Sequence, residues 1–387
     1  MKGDAAQGHD TEADTDPSPT ADKGRPMPPL KAPHIKRRTV LAVAATSAVA
    51  ATGTYAIARS PDAAPQTAPS PAPVQLTGSL PPAKLALCAL DLRVTDVEPL
   101  AALKQLLEAV ESASAPRVLV GISLGSGILS RFTQRLCQLK EMPTFSGDVL
   151  NANTVHGDAL IHATGGSADS LQGAIAKILE DAPAWRVRWR IAGYRPGNTT
   201  QNGVGLTRNP FHFAEGFGNP SSDRETLDRA LIRRDQSEPE WAVGGSYQVV
   251  RIIRLATELW DRDSIDEQER IIGRRRDGRW LDGTPLDERA EFSGDPLGKT
   301  TPLDSHVRRA APDRRNPPPL VRRSYSYSRG EGDSGIIFSC FQRDLKAGFE
   351  AVQKRLEGES MSQYMLTTGG GYYFVPPPGN RWLDLLN

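Results

Sequence analysis

From residue 84 to residue 194 the chain changes its apolar period again and again, and that alternation restricts its topology more than any other feature. Residues 84–94 form a strand-like apolar run, 100–112 repeat leucine and alanine at helical spacing, and 117–124 return to a strand. A short helical stretch at 128–139, a strand at 159–164, a helix at 167–180 and a strand at 185–194 complete the order β-α-β-β-α-β. Segments in this order make an antiparallel sheet with its helices on one face.

This is the ferredoxin-like arrangement, and the second half repeats it less regularly. A strand-like run at 244–253 passes into a helix ending near Trp260. Ser264-Ile265-Asp266-Glu267 has the form of a capping box for a helix over 267–274, in which serine and glutamate satisfy orphan amides reciprocally. A polar, proline-rich stretch over 277–315 follows, then a strand at 335–341, a helix at 344–357 and a strand at 371–375. The expected fold is α+β: two ferredoxin-like domains, 83–220 and 221–387, with antiparallel sheets packed together in a barrel-like way and a pocket mainly in the C-terminal half.

Upstream of both lies a polar arm and then Lys36-Arg37-Arg38-Thr39-Val40-Leu41, which opens an uncharged, alanine-rich run to Ala58. Residues 1–58 resemble a twin-arginine export signal. The run is only weakly apolar, and Ala56-Ile57-Ala58 offers a small-x-small cleavage site, so a cleaved signal is expected rather than a stable membrane span. The mature chain is then expected outside the cytoplasm, in the periplasm, the cell envelope or the medium. Residues 59–82, rich in Pro, Ala, Ser and Thr, read as a linker.

A 387-residue chain with 38% hydrophobic residues and a net charge of +1 can bury a real core, and it lacks the charge excess of a nucleic-acid binder. The arginine groups 274–276 and 314–315 are interrupted by acids and prolines and read as solvated loops. The three cysteines, Cys88, Cys137 and Cys340, form no CxxC and no CxxCH and are expected to be buried small hydrophobes. The six histidines include no HExxH or zinc-finger spacing.

One histidine nevertheless stands out: His306, in Asp304-Ser305-His306-Val307-Arg308, with Arg322-Arg323-Ser324-Tyr325 beginning sixteen residues on. Haem iron is commonly held by a single histidine, and peroxide needs a fixed cation to draw charge off its breaking O–O bond. A lone histidine is more often a core or surface residue than a ligand, and spacing leaves that choice open.

Further blocks accompany these two. They are Pro143-Thr144-Phe145-Ser146-Gly147-Asp148, the run 208–220 around Glu215, the run 244–251 ending at Arg251, Trp260-Asp261, the run 268–273, Phe341-Gln342-Arg343-Asp344, and Thr368-Gly369-Gly370-Gly371 before Val375-Pro376-Pro377. In order and spacing, the chain from Lys84 to its C-terminus resembles the dye-decolorising (DyP-type) haem peroxidases, most of all the exported branch that includes bacterial deferrochelatase/peroxidases. The resemblance implies one haem b per chain, with His306 as its proximal ligand and metal-binding residue. Arg322 and Ser324 are then expected to face bound hydrogen peroxide, while Arg323 would pair with a haem propionate or a surface acid. It also implies one-electron oxidation of phenolic or dye-like reductants through a ferryl intermediate. Asp344 would either orient the His306 imidazole or cap its own helix, the second being the simpler role.

In the family's GxxDG motif the chain departs from the pattern with His212-Phe213-Ala214-Glu215-Gly216. Glu215 keeps the carboxyl group that can relay a proton between the peroxide oxygens but adds a methylene to a packed pocket. His212 replaces a glycine; it could reach the haem or face outward, and a left-handed backbone at that position would strain it and rearrange the loop. Trp241, Tyr247, Trp260 and Tyr325 are candidate electron-entry aromatics or simply core. A weakened distal site would suit a haem-handling protein, releasing iron or carrying haem, in place of a peroxidase. The oligomeric state is left open.

Overall fold

Strand β1 (Lys84–Leu92) is buried on both faces, which is why its sequence is a continuous apolar run rather than an alternation. Leu85, Leu87 and Ala89 point to one core, while Ala86, Cys88, Leu90 and Leu92 point to another. In this computed structural model, residues 72–77, 81–93, 97–196, 199–201, 204–285, 288, 291–313 and 316–386 are described. The export-signal expectation lies outside them. Among the described residues no helix is long and apolar enough to cross a membrane.

The first half follows the expected order, with α1 (Pro99–Ala113), β2 (Val118–Leu124), the short α2 (Ser126–Leu129), β3 (Ala159–Gly165), α3 (Ala168–Asp181) and β4 (Trp185–Tyr194). Glu98 caps α1 by accepting from the amides of Leu100 and Ala101, and Ser167 caps α3 through the amide of Ser170. Leu103, Leu106, Leu107 and Val110 press one face of α1 onto the sheet, each burial being worth about 1.5–3 kcal/mol. A hairpin, β5 (Thr199–Gln201) and β6 (Val204–Leu206), and helix α4 (Asp223–Ala230) lead into the second half.

There β7 (Ser246–Leu255) is followed by α5 (Thr257–Trp260), α6 (Ile265–Ile272) and α7 (His306–Ala310). Strands β8 (Val321–Arg322), β9 (Tyr325–Ser328) and β10 (Ser334–Gln342) come next, then a π-helical turn (Lys346–Glu350), α8 (Ala351–Leu356) and β11 (Met365–Val375). The strand order is β2-β3-β1-β4 in the first half and β11-β7-β10-β9 in the second, the same permutation twice. The halves join at Tyr194↔Ser326 and Leu124↔Phe374, so their sheets meet edge to edge and close into one antiparallel barrel, with β8 (Arg322↔Cys340) continuing the register of β9 (Tyr325↔Ile337) along the same edge of β10. Closure removes the open edges that isolated sheets expose.

The barrel interior is filled by residues of both halves: Leu87, Trp189, Val250, Ile252, Tyr325, Tyr327, Ile337 and Tyr373 among them. One polar chain runs through it. The hydroxyl of Ser123 donates to Gln248 Oε1 at 2.6 Å, and Gln248 Nε2 reaches Ser339 Oγ at 3.1 Å and His162 Nδ1 at 3.4 Å. Burial pushes the His162 imidazole down to about 4, so it is neutral at physiological pH.

Two sequence blocks far apart meet in a buried ion pair beside this barrel. Arg251 on β7 binds Asp148 through Nη2–Oδ1 (2.5 Å) and Nη1–Oδ2 (3.1 Å), with side chains 5% and 2% exposed. Thr367 Oγ1 also accepts from Arg251, and the guanidinium lies over Phe145 and Phe349.

Several local expectations are corrected. The helix expected over 128–139 ends at Leu129, with irregular chain beyond it. Inside the supposed linker, Val74–Leu76 form a helical turn that packs against the sheet: Leu76 is buried and Gln75 Nε2 donates to Ile122 O. The turn packs closely on Gly121, where a Cβ would lie 2.5 Å from the Gln75 side-chain amide. Helix α6 starts two residues before the expected helix; Ser264 Oγ does accept from Glu267 N, and the helix ends at Gly273, whose φ of 88° is a left-handed cap. Cys137 is exposed, with its thiol against Ser237 O, unlike the buried Cys88 and Cys340. Arg274 is buried rather than solvated, stacked 3.6 Å from the Trp280 ring centroid, while 314–315 lie outside the described residues.

Candidate functional site

The loop from Thr207 to Pro220 is shaped by its own polar residues. Asn209 Oδ1 accepts from the amides of Phe211 and Phe213, and its backbone bonds Phe213 O and His212 N, closing a tight turn. At the tip His212 adopts φ 69°, the left-handed conformation that a glycine takes without strain. Trp260 holds the turn from below, stacked on Phe211 at 4.5 Å and donating from its indole to Phe211 O. The His212 ring turns outward, half-exposed, to Asp261 Oδ1 at 3.1 Å.

Beyond the tip the loop delivers Glu215 and Arg322 to one place. Asn219 exchanges two hydrogen bonds with the backbone of Arg322, each 2.9 Å, and Phe217 O accepts from the Arg322 guanidinium. Glu215 is tied to Thr207 by its amide, which donates to Thr207 O at 2.8 Å. Burial pushes the Glu215 carboxyl above its ordinary range, opposed by Arg195, Arg322 and Thr207. Burial likewise pushes Arg322 down, opposed by Glu215. Both side chains nevertheless keep some accessible surface.

His306 opens helix α7, and each polar residue of its motif is anchored. Asp304 accepts from the Ser360 hydroxyl at 2.5 Å, and Arg308 holds Thr301 O and Asp295 while lying over Phe292. His306 Nδ1 lies 2.7 Å from Oε2 of Glu359, which is 4% exposed. An ionised carboxylate only accepts, so Nδ1 carries the proton and Nε2 is the nitrogen with a free lone pair. Among the described residues Nε2 makes no hydrogen bond.

Glu359, 53 residues along the chain from His306, is thus the carboxylate that orients the imidazole. Asp344 takes the other role weighed for it: its Oδ1 accepts from Ala347 N at the start of the π-helical turn. Gly273 joins the two parts of the site, since a Cβ there would lie 2.7 Å from Val307 Cγ2 and 2.8 Å from Ser305 Oγ. The next residue, Arg274, lies 4.7 Å over the ring of Phe217, whose carbonyl holds Arg322. Burial and the neighbouring Arg322 push Arg274 down to about 9.

Of the remaining candidates, Ser324 has its carbonyl accepting from Arg195 and its hydroxyl 3.4 Å from Ser339 N. Arg323 is buried along a cleft of about 280 Å³ formed with Asn219, Ser222 and Asp223. Trp241, Tyr247, Trp260 and Tyr325 are all at most 2% exposed, so none of them can touch a bulky molecule at the surface. Arg195 and Glu359 went unnoticed in the sequence, because neither belongs to a block with a chemical signature. No group of three or more His, Cys, Asp or Glu side chains able to hold a metal ion occurs among the described residues. Such a group is not required for a haem iron held by one protein ligand. The site therefore offers one oriented imidazole nitrogen, one fixed cation and one desolvated carboxyl group.

Comparison with known proteins gives a consistent result. Residues 84–195 match the family described as Dyp-type peroxidase, N-terminal, and residues 207–380 match Dyp-type peroxidase, C-terminal. The deferrochelatases of Escherichia coli strain K12 and of Shigella flexneri are each 36% identical over 248 residues, covering 60% of this chain. The chain spans 58% of the length of these curated relatives. Among solved structures, a DyP-type peroxidase from Streptomyces coelicolor superposes with a TM-score of 0.71 at 28% identity, covering 80% of this chain and 94% of that one. An oxyferrous complex of DtpA from Streptomyces lividans gives a TM-score of 0.71 at 27% identity, with the same coverages.

Proposed function

The chain belongs to the Dyp-type peroxidase family, and from that premise we propose that it is a haem peroxidase that uses hydrogen peroxide to oxidise phenolic or dye-like reductants by one-electron steps. The observation that carries this reading is the His306–Glu359 pair at 2.7 Å, which fixes the imidazole tautomer and leaves Nε2 for iron. The residues present fit haem b: His306 Nε2 would hold its iron, and Arg323 in its cleft would take a propionate. Haem supplies the redox chemistry that peroxide reduction needs.

The protein supplies the rest. Glu359 makes the His306 imidazole more basic and stops it rotating. Glu215 would take a proton from one peroxide oxygen and return it to the other; its desolvation raises its affinity for that proton, and the two nearby arginines let it be released. Arg322, pinned at its backbone and its guanidinium, would stabilise the charge that develops as the O–O bond breaks. Ser324 would offer its hydroxyl to peroxide. His212 is turned to Asp261 and is assigned no role in this reading.

The proposal extends to organisation. Residues 83–220 and 221–387 are its two ferredoxin-like halves, 1–58 directs export by the twin-arginine machinery, and the mature protein acts in the periplasm, cell envelope or medium without a membrane span. Assembly of like chains is compatible with this reading. A second reading, haem handling with iron release, is favoured by the relatives' name, deferrochelatase, and by the Glu215 substitution.

Steady-state oxidation of a phenol by haem-loaded protein separates the two readings. Peroxide-dependent turnover abolished by omitting haem is the expected result; tight haem binding without turnover would leave haem handling as the function.

A further inference from the structure

We infer that Arg355 is a positioning residue for His306: it caps the helix that carries the imidazole and sets that helix in register with Glu359. The inference rests on the reading that His306 Nε2 holds haem iron, and it deepens that reading. Helix α7 has five residues, hardly more than one turn, and a helix of that length does not persist without tertiary support. Its N-terminus has no side-chain cap, because the Ser305 hydroxyl donates to Pro302 O instead. The carbonyls at its other end have no partner within the helix.

Arg355 supplies that partner from α8. Its Nε donates to Arg309 O at 3.1 Å and its Nη2 to Ala310 O at 2.8 Å. One planar guanidinium thus closes two carbonyls and places a cation at the negative end of the helix dipole. The capping is reciprocal, since Arg309 Nη1 donates to Glu357 O, at the end of α8, at 2.5 Å.

Two bonds already described continue the same pairing. Asp304 meets Ser360 and His306 meets Glu359, then Arg309 meets Glu357 and Ala310 meets Arg355, an antiparallel zip in unbroken order. Between the capping bonds and Glu359 the chain turns at Gly358, whose φ of 72° is left-handed. Glu359 fixes the tautomer of the ring, but a single bond leaves α7 free to pivot about it. The bonds at Arg309 and Ala310 hold the far end of the helix and remove that freedom.

The experiment is an NMR measurement on the full-length, haem-free chain. It follows the Nδ1–H resonance of His306, identified by its absence in His306→Ala, and its rate of exchange with water. Arg355→Met keeps the aliphatic stem and removes the donors, and it is expected to speed that exchange by ~10-fold, because bonds from a charged donor are lost. Arg355→Lys keeps the cation at the helix end and should restore most of the protection. Arg309→Met removes the reverse bond and should act in the same direction as Arg355→Met. In the reduced, haem-loaded protein the iron–histidine stretching band should broaden in Arg355→Met and sharpen again in Arg355→Lys. An exchange rate in Arg355→Met equal to that of the wild type would overturn the inference; if that variant does not fold, an unaltered rate in Arg309→Met overturns it equally. A wild type with a protected Nδ1–H but no iron–histidine band would instead remove His306 as the haem ligand and leave the capping of α7 standing.

Discussion

Replacing Arg322 with leucine is expected to slow the reaction of the haem-loaded protein with peroxide by roughly 10²–10³-fold while leaving haem binding intact. The reason is how firmly this guanidinium is held. Its backbone is locked by both groups of the Asn219 amide, and its side chain donates to Phe217 O, so no reorganisation is needed when charge develops beside it. Arg322→Lys keeps a positive charge but loses the planar fork that lets one group grip Phe217 O and still present further donors, and it should recover only part of the rate. Stopped-flow mixing measures both variants, with the Soret band reporting the haem content. A loss below 10-fold in the leucine variant would assign heterolysis to another group.

The second large effect concerns stability. Asp148→Ala should lower unfolding free energy by roughly 3–5 kcal/mol, because it strands the Arg251 guanidinium with no counter-ion in a site where its side chain is 5% exposed. Against a total of about 5–15 kcal/mol for a typical domain, such a variant is close to unfolded. The double variant Asp148→Ala, Arg251→Met should be more stable than the single one, since removing both charges leaves no buried ion unpaired. Urea melts of the three proteins decide it. Equal stability of the single variant and the wild type would mean that the pair is solvated.

This ion pair shows what a sequence can and cannot disclose. Asp148 and Arg251 both sit in blocks that carry the family resemblance, yet only the fold shows that the blocks are there to meet each other. Strand β1 was legible as an unbroken apolar run of nine residues, and α1 and β4 because each keeps one period over ten or more residues. Strand β9 was not, since Tyr325–Ser328 is four residues of alternating Tyr and Ser in a polar region. Without it the ring could not be closed on paper, and the joints at Tyr194↔Ser326 and Leu124↔Phe374 are single pairs between distant segments.

At the site, His306, Glu215 and Arg322 were singled out by the family resemblance, since spacing alone left the choice open. Glu359 and Arg195 were not, because their partners lie 53 and 129 residues away and neither position has a chemical signature of its own. The left-handed turn at His212 was foreseen as a cost of replacing glycine, and the structure places that residue at φ 69° with its ring on Asp261.

The claim on which the account depends is that the oriented Nε2 of His306 binds haem iron. Resonance Raman spectra of the reduced, haem-loaded protein test it most directly through the iron–histidine stretching band. The account predicts the band in the wild type, its loss in His306→Ala and a shift to lower frequency in Glu359→Gln, where the imidazole becomes less basic. An unaltered band in His306→Ala would contradict the assignment and move the haem to another ligand.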